Sequence, residues 1–404
     1  MVAAAEGQIQ IWGEEMKTTA SCFLVLLLVI ASTASAQQPC SKPPLTSFIN
    51  WAQFHSDACH SGYNQYEFVL SPTTVGSLVE DWTYSLDPVS YSSPAVANGV
   101  VYIGSSAPSG SVYAFNASTG ILLWKSTLGY ESQIVSSPAV ANGVVYIGNQ
   151  DDDTLYALDA GTGAHLWTYT TGGYITSSPA ISNGIVYFAS SNDDHNLYAL
   201  NARTGAVVWK YWVDGENGES PAVANGMVYM GADKVYALNA STGALLWEYG
   251  TRLGYSFSSP AVTDGVVYVG DFFGNFYALN ASTGALLWQY ATTGYISTTP
   301  AVANGVVYVG SSDYSIYALS ASTGALLWKY ATGQFINSSP AVANGVVYVG
   351  SGDNNIYALN ASTGAVLWQY TAGAYVISSP AVANGVVYVG SYDGQLYAFH
   401  LPNH

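Results

Sequence analysis

Ser338-Ser339-Pro340-Ala341-Val342-Ala343-Asn344-Gly345-Val346-Val347-Tyr348-Val349-Gly350, with Ile356-Tyr357-Ala358-Leu359-Asn360-Ala361-Ser362-Thr363-Gly364-Ala365-Val366-Leu367-Trp368 close behind, decides the fold. The first half is two β-rich runs joined by Asn-Gly. That dipeptide is the strongest short-range hairpin signal, because both central residues of a type I′ turn need positive φ. The second half is two more such runs joined by Asn-Ala-Ser-Thr-Gly. Four strands in about 40 residues is the content of one propeller blade. The phrase recurs with its proline at Pro94, Pro138, Pro179, Pro221, Pro260, Pro300, Pro340 and Pro380, in steps of 44, 41, 42, 39, 40, 40 and 40 residues. A fixed period of that size belongs to propellers or solenoids. No segment sustains a 3.6-residue apolar period, so helices should be scarce.

Trp82, Trp124, Trp167, Trp209, Trp247, Trp288, Trp328 and Trp368 mark the fourth, outer strand of successive blades, but they are offset from the Ser-Pro strands. One tryptophan precedes the first Ser-Pro and none follows the last. The sequence therefore predicts an all-β, eight-bladed β-propeller of four-stranded blades over residues 81–404. An N-terminal outer strand at about 82–86 completes the last blade, closes the ring and removes two exposed sheet edges.

Only 8% of the 404 residues are charged, against a norm of about 25%, so solubility rests on Asn, Ser, Thr, Gly and a few acids. The net charge of −17 repels phosphate backbones, and the eight Lys and Arg form no basic patch, which argues against nucleic acid as a partner. Lys17, the apolar run 22–30 and Ala34-Ser35-Ala36 form an export-signal pattern over residues 1–36, with Met16 the expected translation start. The run is too short to span a bilayer, so an exported periplasmic or secreted protein is expected, with no transmembrane span once the signal is removed. In the lead-in, residues 37–80, Cys40 and Cys59 are an even pair in an oxidising compartment and should form a disulfide.

Ala114-Phe115-Asn116-Ala117-Ser118-Thr119-Gly120-Ile121-Leu122-Leu123-Trp124 resembles the tryptophan-docking motif A-x-D-x-x-T-G-K-x-x-W of the PQQ-like repeat family of quinoproteins and their relatives. The likeness recurs round the ring to Ala358–Trp368, and Asp159 keeps the acid where Asn116 departs from it. Asn50 to Asp57, Ser71-Pro72 and Val75 to Leu78 also resemble the lead-in of those proteins. The resemblance implies the propeller fold and, in enzymatic members, pyrroloquinoline quinone (PQQ) with calcium, an adjacent Cys-Cys disulfide, basic partners for the quinone carboxylates and an Asp base. This chain has no Cys-Cys pair, and its arginines are Arg203 and Arg252 alone.

Comparing repeats within the chain separates two faces. The Asn-Gly and Asn-Ala-Ser-Thr-Gly turns hardly change, whereas the connections on the opposite face vary and are free to specialise. Tyr91, Tyr130, Tyr174, Tyr255, Tyr295, Phe335 and Tyr375 enter the inner strands on that variable face, with Arg252 nearby. They read either as rings around the channel mouth, offered to a sugar, quinone or peptide, or as packing between blades. Asp214, Glu216 and Glu219 break the aromatic pattern as an acidic loop, readable as oxygen ligands for calcium or as solvated acids. No nucleophile elbow, phosphate loop or zinc spacing is present. The expectation is a monomeric, non-catalytic binding or assembly propeller of the cell envelope, without cofactor or metal, meeting an envelope protein, a peptide or a small ligand at its channel mouth. The alternatives are a PQQ-dependent oxidoreductase with calcium and a carbohydrate-binding or adhesive module.

Overall fold

Asn344 at φ 42° and Gly345 at φ 79° make the turn between strands Ala341–Ala343 and Val346–Gly350, with Val342 opposite Val347. Strand Asn355–Asn360 adds with Tyr357 opposite Val349, and Val366–Thr371 adds with Trp368 opposite Ala358, beside a bulge. The computed structural model describes residues 50–86, 91–106, 109–130, 132–215, 218–250 and 257–402, all within the contact unit Cys40–His404. They form eight such sheets and no helix beyond the 3₁₀ turn Val75–Ser77. Blades 1 to 7 span Ala95–Tyr130, Ala139–Thr170, Ala180–Trp212, Ala222–Tyr249, Ala261–Ala291, Ala301–Ala331 and Ala341–Thr371. Blade 8 is Ala381–His400 completed by the outer strand Val79–Ser85, with Trp82 opposite Ala398 and Thr83 opposite Tyr397. The closing strand is thus where the tryptophan offset placed it, beginning three residues earlier.

Adjacent blades are joined by the repeated motif itself. The Trp288 Nε1–H donates to the Ala321 carbonyl oxygen at 2.8 Å, and the indole lies over Gly324, where a Cβ would come within 2.6 Å of the ring. Gly324 also sits at φ 70°, so glycine is required twice over. The same bond runs from Trp82 to Ala117, Trp124 to Ala160, Trp167 to Ala202, Trp209 to Ala240, Trp247 to Ala281 and Trp328 to Ala361. A second-strand tyrosine reaches the same carbonyl, as Tyr308 does at Ala361 and Tyr388 at Ala117. Six hydrophobic clusters accordingly pair two neighbouring blades, as when Tyr308, Ile316 and Trp328 pack on Val347, Tyr357 and Leu359, and a seventh joins blades 7, 8 and 1 with the lead-in.

The joint between blades 7 and 8 is the exception. Blade 8 takes its outer strand from the N-terminal side and so has no Asn-Ala-Ser-Thr-Gly turn. Trp368 donates to the Leu78 carbonyl instead, at 3.0 Å. Tyr348, whose counterparts bond to the turn carbonyl, is left with a buried hydroxyl that has no partner.

The lead-in fills the axis that the sequence reading left as a channel. Residues 51–64 pass the inner strands in blade order, meeting the central residue of each. Trp51 exchanges both backbone bonds with Val96, at 2.8 and 2.7 Å. The Ala52 carbonyl accepts from Val140 N–H, and the Gln53 side chain bonds both backbone groups of Ile181. The carbonyls of Ala58, Cys59, Ser61 and Gly62 accept from the N–H groups of Val223, Val262, Val302 and Val342. Asn64 Nδ2 donates to the Val382 carbonyl at 2.7 Å. Burial in this plug depresses His55 to about 4 and His60 to about 3, so both imidazoles are neutral at pH 7.

Two outcomes follow from these contacts. Tyr388→Phe should lower the unfolding free energy by about 1 kcal/mol, while Tyr348→Phe should leave it unchanged or raise it, as read from urea midpoints. Deleting residues 37–64 should strip hydrogen-exchange protection from the amides of Val96, Val140, Val223, Val262, Val302 and Val342, which are slow in the full chain.

Candidate functional site: the axial mouth

Two hydroxyls stand before every inner strand but that of blade 4, in the repeated Ser-Ser-Pro or Thr-Thr-Pro, and they do different work. The first locks the blade internally: its oxygen accepts an N–H from the end of the second strand. Ser338 accepts from Gly350 at 3.0 Å, and Ser92, Ser136, Ser177, Ser258, Thr298 and Ser378 accept from Gly104, Gly148, Ala189, Gly270, Gly310 and Gly390. The second links blades. Ser93 N–H donates to Ser137 Oγ, Ser137 to Ser178, Ser178 to Ser220, Ser220 to Ser259, Thr299 to Ser339, Ser339 to Ser379, and Ser379 back to Ser93, all at 2.8–3.0 Å. A belt of hydroxyls thus runs round the mouth of the axis on the variable face, interrupted between Ser259 and Thr299.

The belt encloses a cavity of about 170 Å³, lined also by Phe54 from the plug, Tyr91, Val135, Thr176, Asn337 and Ile377. One carboxyl lies in this wall. Glu219 occupies the first-hydroxyl position of blade 4, so that blade forgoes the internal lock found in the other seven. Its Oε2 accepts from Ser259 Oγ at 2.9 Å. Burial pushes the acid up to about 7, against the opposing pull of the Ser259 hydrogen bonds.

The sequence-predicted residues distribute unevenly. Among the described residues, Tyr91 alone of the seven aromatics lines the cavity, with its hydroxyl 2.8 Å from that of Tyr392. That bond, together with burial, raises its pKa to about 12. Phe335, Tyr375, Tyr392 and Tyr91 form an arc of rings with successive centroids 5.7, 6.3 and 5.5 Å apart, along blades 7, 8 and 1. Tyr295 stacks on Phe272 at 5.5 Å, and Tyr174 is half-exposed without joining the arc. These five aromatics therefore do not make one ring around the mouth. Tyr255, Arg252, Glu216, Cys40 and the side chain of Tyr130 lie outside the described residues. Cys59 is buried against blades 4 and 5.

Asp214 is exposed, and the described residues contain no cluster of three or more acids, histidines or cysteines able to hold a metal. Other aspartates of the variable loops are structural. Asp353 and Asp393 each take a tyrosine hydroxyl four residues on, Tyr357 and Tyr397, and cap the N–H of Gly333 and Gly373. Sequence reasoning missed Phe54, whose segment has no repeat to compare with, and Tyr392. Tyr392 was visible as an aromatic in a loop position that holds Ser312 and Gly352 in the two preceding blades.

The family described as outer membrane protein assembly factor BamB matches four times, at residues 76–179, 151–256, 231–338 and 323–401, and the chain belongs to it. No curated protein matches in sequence. Among solved structures, a europium-containing methanol dehydrogenase superposes with a TM-score of 0.78 at 16% identity, covering 87% of this chain and 98% of that one. BamB from Moraxella catarrhalis gives 0.68 at 22% identity, covering 81% and 98%. A quinohemoprotein alcohol dehydrogenase from Comamonas testosteroni gives 0.76 at 16%, covering 88% and 81%. At these identities the likeness is one of fold.

Glu219→Ser restores the residue type of the other blades and gives the sign of the carboxyl's contribution. A carboxyl raised in the folded state favours folding most below its unfolded pKa of about 4.5, and that contribution is lost as pH rises to about 7. The variant's stability advantage over the parent should therefore grow from pH 4.5 to 7 and level off above it, as measured by urea midpoints.

Proposed function

We propose that this protein is an exported, monomeric, non-catalytic propeller of the cell envelope, which binds or assembles other molecules through the variable face around its axial mouth. Residues 1–36 serve as the export signal, and Cys40 pairs with Cys59 to tie down the chain entering the plug. Membership of a family described by outer membrane protein assembly supports the envelope setting, and no helix among the described residues is long and apolar enough to cross a membrane. The observation that carries the binding reading is the mouth itself, a walled cavity flanked by an arc of half-exposed aromatic rings. Tyrosine and phenylalanine faces of this kind suit an extended peptide segment of a partner.

The oxidoreductase reading requires a quinone bearing three carboxylates. The cavity wall fits it poorly: it is lined chiefly by hydroxyls and other polar groups, its single charged group is Glu219, and no lysine or arginine lines it among the described residues. An anionic cofactor there meets like charge without a counter-ion. No redox step is derived from this site.

Full-length protein incubated with PQQ and calcium should acquire neither a bound quinone spectrum nor dye-linked alcohol oxidation. Used as bait in envelope extract, it should retain a protein that the triple variant Tyr91→Ala, Tyr375→Ala, Tyr392→Ala loses. Bound quinone together with alcohol oxidation would reverse the assignment.

A further inference from the structure

Seven blades place Ser or Thr where blade 4 places Glu219, and in those seven the hydroxyl accepts an N–H from the end of its own second strand, whereas Glu219 reaches across to Ser259 of the next blade. Breaking a rule that the other blades keep, and desolvating an acid as well, marks a functional position. We propose that the axial mouth binds a small primary ammonium ligand, its charge held by the Glu219 carboxylate and its remaining N–H groups by the belt hydroxyls. This rests on the reading of the mouth as a binding surface and names what enters it.

Three features select that chemistry. The wall offers one carboxylate and no cationic side chain among the described residues, so the ligand supplies the positive charge. Each of the seven belt serines has already accepted one backbone N–H and keeps a second lone pair. A tetrahedral ammonium has three N–H donors, one for the carboxylate and two for such oxygens. The cavity of about 170 Å³ holds the volume of roughly five or six waters, room for a small ammonium head at its floor. A bare divalent metal is disfavoured because the hydroxyls are weak ligands and the described residues supply no group of three acids, histidines or cysteines. The protein's net charge of −17 draws cations toward the mouth.

The test is a ligand-detected NMR titration of the full chain at pH 8 with n-propylammonium, using propan-1-ol as the neutral analogue. Saturable binding of the amine and not of the alcohol is expected. Glu219→Gln and Glu219→Ser should each weaken it roughly tenfold or more, and Asp193→Asn, an exposed acid of a neighbouring loop outside the cavity, should leave it unchanged. Glu219→Ser carries the residue type of the other blades and so guards against misfolding as the cause. Equal binding by Glu219→Gln, equal binding of the alcohol, or no saturable binding overturns the proposal. Displacement of the amine by equimolar potassium also overturns it, in favour of a bare monovalent cation. If the amine fails while the aromatic-dependent envelope partner is captured, this inference falls and the assembly reading stands. If the amine binds through Glu219 while no partner is captured, the ammonium site stands and the assembly reading falls.

Discussion

A tryptophan laid across a glycine holds each blade to the next. The indole occupies the space a Cβ would need and sends its N–H into the carbonyl two residues into the neighbour's turn, so blade spacing and blade tilt are set by one contact. Because the joint involves neighbours only, the energetics are those of a one-dimensional repeat array, with a term for each blade and one for each interface. What distinguishes this chain from an open solenoid is that the last interface exists. Trp82, carried by the closing strand, docks on the turn of blade 1 and leaves no terminal repeat exposed.

Closure by a strand from the far end breaks the eightfold pattern locally, and the molecule keeps the marks. Trp368 finds Leu78 rather than a turn alanine, and Tyr348 finds nothing. The inner circumference presents a second problem, since three-residue strands leave the N–H groups of their central residues pointing at the axis. Residues 51–64 resolve it by supplying a different acceptor to seven of the eight blades, six times with a backbone carbonyl and once with the Gln53 side chain, while at the eighth Asn64 donates to the Val382 carbonyl instead. The same insertion blocks the axis, so the variable face offers a cup rather than a tunnel.

Blade architecture was legible because its signals are local and repeated eight times. Asn344-Gly345 states its turn unaided, and the displaced tryptophans state the closure. The plug was not legible, because Trp51, Ala52 and Ala58 act through backbone groups that any residue carries, and contacts spanning hundreds of positions leave no trace in spacing. Glu219 stood out as an acid in an atypical loop. Its meaning required aligning it with Ser338 and knowing that this serine closes onto Gly350. The aromatic residues were legible as a repeated feature before the inner strands, but their sequence position does not say which way a ring turns. Tyr91 turns to the cavity, whereas Phe335 and Tyr375 pack on each other.

Asn64 and its acceptor Val382 are separated by 318 positions, and Ser85 and Gln395 by 310. A chain emerging from the ribosome or crossing a membrane in order would present the plug and the closing strand first and their last partner at the very end. Blades 1 to 7 can stack while that head segment waits unpaired, but neither the hub nor the seam can be finished until the tail arrives. Such long-range joining is slow and exposes β-edges in the interval. Nascent protein is therefore most vulnerable to wrong pairing during this wait, and the near-identity of the blades widens the choice of wrong partners.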